Sequence, residues 1–281
     1  MLFKKIAIIG VGLLGGSIGL GVRKRNLAEE IIGIGRNESS LQKALKRGAV
    51  DEITMSISKV RDADLIIPAT PVKSIPQIVK GLFPFAKKGA IINDVGSTKL
   101  EIVREIEKIT PLGVHFVGGH PLAGSEKKGV EFADSDLFEG SICFLTPLKM
   151  EREGEAVKLL EKFWRALGAK PAIISPQVHD FLVAGISHLP HLVAVSLVNA
   201  ILPMKLESKR LIEFAGQGWK DTTRISKGSP ELWIDILSTN REEILRFIEK
   251  FDEEWDKIKN FLEEEKWEEL KRALSRATEH T

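Results

Sequence analysis

Over the first 175 residues, short runs of branched aliphatic side chains alternate with longer stretches whose apolar positions recur every three or four residues. The short runs "KKIAIIG", "EIIGIG", "DEITM", "ADLIIPAT", "GAIINDVGS", "VHFVGG" and "SICFLTP" read as strands. Helical periods fill Leu13–Arg25, Ser40–Arg47, Val72–Phe85 and Lys99–Ile109, and a further helix, Glu151–Leu167, precedes a strand in "PAIIS". Such alternation predicts an α/β fold, a Rossmann-type doubly wound and mostly parallel sheet with helices on both faces.

The texture changes at Ser175–Pro176. Beyond it no strand pattern is visible, only helical periods. The expected organisation is a dinucleotide-binding domain over 1–175 and an all-helical domain over 176–281. Asn240 and Glu243 have the spacing of a capping box. After them Ile244, Ile248, Phe251, Trp255, Ile258 and Phe261 form an apolar stripe, which Trp267, Leu270, Leu274 and Ala277 repeat. A stripe of this length serves packing, within the chain or against a second subunit.

Composition narrows the function classes. A net charge of +2, without a basic stripe interleaved with aromatics, argues against a nucleic-acid partner. The opening apolar run is broken by glycine too soon for a signal peptide, and "HLVAVSLVNAIL" is too short for a membrane span. A single cysteine, Cys143, permits no internal disulfide, which suits the cytoplasm. There is no tyrosine, so the acid–base work falls to other groups.

Gly10-x-Gly12-x-x-Gly15 directly follows a strand and opens a helix that begins Leu13-Leu14. Glycines there allow a tight turn and a close approach of backbone to pyrophosphate, with the helix N-terminus supplying N–H groups. Nicotinamide sites that take NAD place an acid at the end of the second strand, but here Gly35 and Arg36 occupy that place. A guanidinium without a competing carboxylate suits a 2′-phosphate, and Asn37 or Ser39 can add hydrogen bonds. The pattern favours NADP over NAD. Ala69, Thr70 and Pro71 end the fourth strand and are expected beside the cofactor.

"INDVGSTK" and "VGGHPLAGSEKKG" leave strands at the same carboxyl edge, so Ser97 and His120 should both face the nicotinamide. A histidine there can take a hydroxyl proton as hydride leaves the same carbon. In the helical half His188 and His191 lie three apart with His179 upstream, but no acidic loop or cysteine set accompanies them, which argues against a metal. Lys220, Asp221 and Arg224 cluster in "GQGWKDTTRIS" as a plausible carboxylate receptor.

Taken in order, "GVGLLGGSIGL", "DVGSTK", "GGHPLAGSEKKGVE", "DLFEG", "FLTP", "VAGISHLPH" and "GWKDTTRIS" resemble the segments of the prephenate/arogenate dehydrogenase family across almost the whole chain. The resemblance implies oxidative decarboxylation of a cyclohexadienol, prephenate and/or arogenate, in tyrosine biosynthesis. It implies that His120 draws the proton from the ring hydroxyl and that Ser97 bonds both His120 and that hydroxyl. It also implies that His188 lines the pocket, Arg224 binds a substrate carboxylate and Trp233 borders the side-chain end. Lys220 and Asp221 would lie near the active site across a homodimer built by the helical domain. Gln217 stands where several relatives have glycine, which bears on side-chain selectivity. The implied arrangement has no fused chorismate mutase and no C-terminal ACT domain, so that feedback control would act in the active site itself.

Two other readings stay open at this level. A β-hydroxyacid or imine dehydrogenase would share the first domain but use a lysine as acid–base, and a non-catalytic dinucleotide-binding regulator would keep only the cofactor site.

Overall fold

Strand β1, Phe3–Ile9, is buried along most of its length, as a central strand covered on both faces must be. In the computed structural model, residues 1–124, 127–147 and 149–279 are described, with residues 150–153 described for backbone only. Eight strands stand in the order β3-β2-β1-β4-β5-β6-β7-β8. They are β2 (Ala28–Ile34), β3 (Glu52–Thr54), β4 (Leu65–Pro68), β5 (Ile91–Asn93), β6 (His115–Pro121), β7 (Ile142–Thr146) and β8 (Lys170–Ile173). Every pairing is parallel except β6 with β7. Strand order reverses at β1, which opens a crevice between the carboxyl ends of β1 and β4.

The period-two alternation of β1 divides the core. Ile6 and Ile8 join Ile18, Phe138 and Trp164 on one face, while Ala7 and Ile9 join Ile66, Val79 and Ile102 on the other. Helices α1 (Leu13–Lys24), α2 (Glu38–Lys46), α3 (Ile75–Leu82), α4 (Leu100–Glu107) and α5 (Met150–Ala166) complete this layer structure. The α/β class is therefore as expected.

The helical part comprises α6 (Pro176–Val183), α7 (Leu189–Ile201), α8 (Gln217–Thr223), α9 (Pro230–Thr239), α10 (Arg241–Glu263) and α11 (Trp267–Thr278). It departs from expectation in four places. A hairpin of two-residue strands, β9 (Lys205–Leu206) and β10 (Lys209–Arg210), interrupts it, too short to leave an alternation in the sequence. A single π turn, Ala184–His188, fuses α6 and α7 into one run and directly precedes the turn that carries Pro190. The resulting 26-residue helix contains an 18-residue window of mean hydropathy 1.8 and so, by length and composition, is long and apolar enough to cross a membrane, which the run "HLVAVSLVNAIL" alone is not. Its buried positions nevertheless include His179, Asp180, His188 and His191. Asn240 does not cap α10 with its side chain, so the predicted capping box is absent. Lastly, only Ile244 of the apolar stripe is buried, whereas Trp255, Trp267 and Leu274 are all more than half exposed. The stripe is only partly covered within the chain, with Ile248, Phe251, Phe261 and Leu270 half-buried.

Candidate active site

The three glycines of the first turn do different jobs. Gly10 has φ +91°, and a Cβ there would lie 2.5 Å from the Ala69 carbonyl oxygen. A Cβ on Gly15 would lie 2.2 Å from the Gly10 carbonyl oxygen, so this glycine lets α1 press against β1. Gly12 has nothing within 4 Å of such an atom. It is the N-cap of α1 and offers no side-chain cap, which leaves the first amides of the helix to an outside acceptor.

Beside this turn lies a cavity of about 800 Å³ lined by Gly10, Gly12, Gly35, Arg36, Asn37, Ala69, Thr70 and Pro71, among others. Its size and its bare helix N-terminus fit a dinucleotide. Ser40 and Lys43 on α2, and Glu131 beyond the loop after β6, also line it and were not foreseen. Ser40 and Lys43 are one helical turn apart on α2, a relation available from the sequence. Leu13, Leu14, Gly15, Ser39 and Ser97 do not form its wall. Asn37 accepts the Ser40 N–H at 2.9 Å and so caps α2. Arg36 is exposed and has no ion-pair partner among the described residues.

His120 is not in a loop. It belongs to β6, opposite Phe144 of β7, because the antiparallel ladder continues through Pro121 and Cys143. Beneath it, Asn93 donates to the Val117 carbonyl at 2.8 Å and accepts from the Trp164 indole at 3.0 Å. Asp94 accepts the Gly96 N–H at 2.8 Å and the Gly119 N–H at 3.2 Å, and pairs with Lys99, both side chains being fully buried. These polar groups brace β5 against β6 and set the position of His120.

One nitrogen of the His120 ring, Nδ1, lies 2.8 Å from His179 Nε2. His179 Nδ1 in turn lies 2.7 Å from Asp180 Oδ1, and both residues are essentially inaccessible. His120 Nε2 has no partner among the described residues. Burial pushes the His120 imidazole well below its ordinary value, helped by His179, by the Lys99 cation and by His188. Burial also lowers His179, against the opposing pull of Asp180. Both rings are neutral at pH 7. Ser97 is half-buried on the turn after β5, and no hydrogen bond joins it to His120 in this structure. His179, which belongs with Asp180 to the "HD" pair that precedes "VAGISHLPH" among the family-like segments but was given no role of its own, holds the place expected of Ser97.

The helical part closes the far side. His188 meets Trp233 edge-on with ring centroids 6.0 Å apart, and His191 stacks flat on the same indole at 3.5 Å. The His188 imidazole is lowered to about 4, chiefly by burial, with Asp180 opposing. Among the described residues no group of His, Cys, Asp and Glu is arranged to hold a metal ion. Helix α8 packs against α7 rather than on the sheet. Its Gln217 donates to Asp221 at 2.8 Å. Lys220 and Arg224 are exposed, with no carboxylate in ion-pair range among the described residues. Lys128 of the loop after β6 reaches Ser229 Oγ at 2.8 Å, tying that loop to the helical part.

Comparison with known proteins agrees with this architecture. The family model for the prephenate dehydrogenase nucleotide-binding domain matches residues 18–173, and that for the prephenate dehydrogenase dimerization domain matches residues 175–276. A prephenate dehydrogenase from Bacillus subtilis is 38% identical over 280 residues, 98% of this chain and 74% of the relative. The crystal structure of prephenate dehydrogenase from A. aeolicus, in complex with hydroxyphenyl propionate and NAD+, superposes with a TM-score of 0.91 at 36% identity, covering 98% and 96% of the two chains. Synechocystis arogenate dehydrogenase gives a TM-score of 0.84 at 31% identity, covering 98% of each chain.

Proposed function

The chain belongs to the prephenate dehydrogenase family, and from that premise we propose that it oxidatively decarboxylates prephenate, arogenate or both in tyrosine biosynthesis, using NADP in preference to NAD. The observation that carries the reading is His120, a neutral imidazole at the carboxyl end of β6 with one nitrogen engaged by His179 of the helical part and the other without a partner among the described residues.

The nicotinamide, when bound, accepts the hydride. His120 takes the proton of the ring hydroxyl at Nε2 as the C–H electron pair departs, and the O–H pair becomes the new carbonyl bond. The ring carboxylate then leaves as carbon dioxide, its bonding pair aromatises the ring, and His120 returns the proton to the phenolic oxygen. Ser97 bonds the same hydroxyl. His188 and Trp233 wall the ring, Arg224 receives a carboxylate, and Gln217 lies toward the side chain. Lys220 and Asp221 approach the site of the second subunit in a homodimer formed by the helical part, whose exposed apolar stripe supports that assembly. Gly35 in place of an acid, and Arg36, which has no ion-pair partner among the described residues, support the NADP preference, with Lys43 adding a second cation that Glu131 partly offsets at 3.8 Å. The division between the two domains is taken at Ser175–Pro176, and a buried, unpaired Cys143 suits the cytoplasm.

The test is direct. Reduced-nucleotide absorbance is followed with prephenate and with arogenate, each with NADP and NAD. Turnover of at least one dienol, reduced about 100-fold or more by His120→Asn with cofactor affinity kept, is expected. No turnover with either substrate overturns the reading.

A further inference from the structure

We propose that His179 and Asp180 are the positioning residues of the reaction: they hold the neutral His120 ring with its proton on Nδ1 and its Nε2 lone pair turned to the substrate hydroxyl. The inference rests on the reading of His120 as the base and extends it to two residues that never touch substrate.

The argument runs inward from Asp180. Its Oδ1 accepts the Lys99 N–H at 2.8 Å and its Oδ2 accepts the Leu100 N–H at 2.9 Å, at the N-terminus of α4. The positive end of the helix dipole favours an anion there. A carboxylate engaged in this way only accepts, so His179 Nδ1, 2.7 Å from Oδ1, is the donor. A neutral imidazole carries one N–H, which leaves His179 Nε2 a bare acceptor. His120 Nδ1, 2.8 Å from it, must therefore donate. The lone pair of His120 is then on Nε2 by elimination, each step following from the one before.

Neither ring has freedom to depart from this arrangement. Phe144 meets the His179 ring edge-on at 5.3 Å, and His179 meets His120 edge-on at 5.0 Å. The other charged or titratable groups facing the two rings are Lys99 with its partner Asp94, and His188. The Lys99 cation opposes protonation of His120 at rest. When the substrate proton arrives at Nε2, the Nδ1–H bond to His179 persists, and no proton need leave the ring on that side. The device matters because a free imidazole carries its proton preferentially on Nε2, the wrong nitrogen for a base in this site. It also crosses the domain boundary: the base is on β6, and its tautomer is set from α6.

The test uses the full chain labelled with ¹⁵N-histidine, without substrate, at a pH near 8, where the neutral rings can be read. Resonances of His120 are assigned by their loss in His120→Asn. The wild-type ring is expected to be protonated at Nδ1. In His179→Leu, which keeps the Asp180 contacts to α4, the proton should move to Nε2 or divide between the two nitrogens. There kcat should fall about 100-fold or more while KM stays within about twofold, as for a triad base in the wrong tautomer. His179→Gln keeps one donor and one acceptor and should recover at least about tenfold of the kcat lost. If the leucine variant does not fold, His179→Phe gives the same readout, because it keeps an aromatic ring against Phe144 and offers no nitrogen to His120. An Nε2-protonated ring in the wild type overturns the inference, as does a leucine variant with unaltered tautomer and kcat. Absence of turnover with both dienols, with the tautomers as expected, strikes the proposed reaction and leaves the positioning pair standing.

Discussion

Asn240 donates from Nδ2 to the backbone carbonyl of Asp180 at 2.8 Å, and the same nitrogen lies 3.3 Å from His188 Nδ1. A residue whose spacing marks it as a helix cap is thus drawn into the buried floor of the site. That carbonyl also accepts the Ala184 N–H, so removing the amide takes away one of its two donors and costs about 0.5–1.5 kcal/mol. Asn240→Ala should therefore lower the urea-derived stability by that amount, with an unchanged m value. A variant as stable as the wild type would mean that the contact contributes nothing.

Gly12 and Gly15 should separate cleanly. Gly15→Ala drives a methyl carbon to 2.2 Å from a backbone oxygen, so α1 must move off β1, at about 1–3 kcal/mol by thermal unfolding. Gly12→Ala meets nothing in the protein, so the melting temperature should hold while the Kd for the nucleotide, measured by calorimetry, rises about tenfold or more.

Nucleotide preference should turn on Arg36. A charge-assisted bond to a 2′-phosphate contributes about 1.5–3 kcal/mol, so Arg36→Ala should cut the NADP:NAD ratio of kcat/KM by about 10- to 150-fold. Lys43 pairs weakly with Glu131, at 3.8 Å, and Lys43→Ala should act in the same direction with a smaller effect. Steady-state kinetics with both nucleotides decides the point, and an unchanged ratio would remove both cations from the discrimination.

The pH dependence of stability has a definite sign. His188 titrates at about 4 in the folded chain against 6.5 as an ordinary histidine. Between those values the unfolded chain binds the extra proton, so stability rises with pH across that window and is lost as pH falls through it. His188→Gln should flatten the slope of urea-derived stability between pH 4 and pH 6.5 relative to the wild type. A parallel pair of curves would show that the imidazole stays solvated.

Much of this was legible beforehand, for physical reasons. Strands buried on both faces are near-continuous aliphatic runs, so the sheet announced itself, and the glycine turn identified the cofactor crevice because few backbones need that pattern. His120 was singled out from its place at a strand end. What the chain concealed were relations made only by folding. Asp180 caps α4 from 80 residues away in sequence, which no local pattern can reveal. Asn240 has a capping signature, yet the buried Asp180 carbonyl is a stronger claimant for its amide.

The stripe on α10 and α11 leads to a prediction about assembly. Trp255, Ile258, Trp267 and Leu274 are exposed together, and a second copy is the proposed cover. Trp255→Glu should shift the sedimentation behaviour from dimer toward monomer at micromolar concentration. Retention of a dimer by the variant would place the contact on another face.

A proposed base supported from two domains would restrict how the enzyme can breathe. Many two-domain dehydrogenases release product by swinging apart about a hinge. Here Asp180, at the root of the helical part, is bonded to the first amides of α4 in the sheet domain, and through His179 to the reacting ring. A jaw-like opening at Ser175 would pull the base out of alignment on every cycle. Traffic would instead pass through the rim, where Lys128 of the loop after β6 touches Ser229, so the slow step of turnover is sought in that rim and not in the spine.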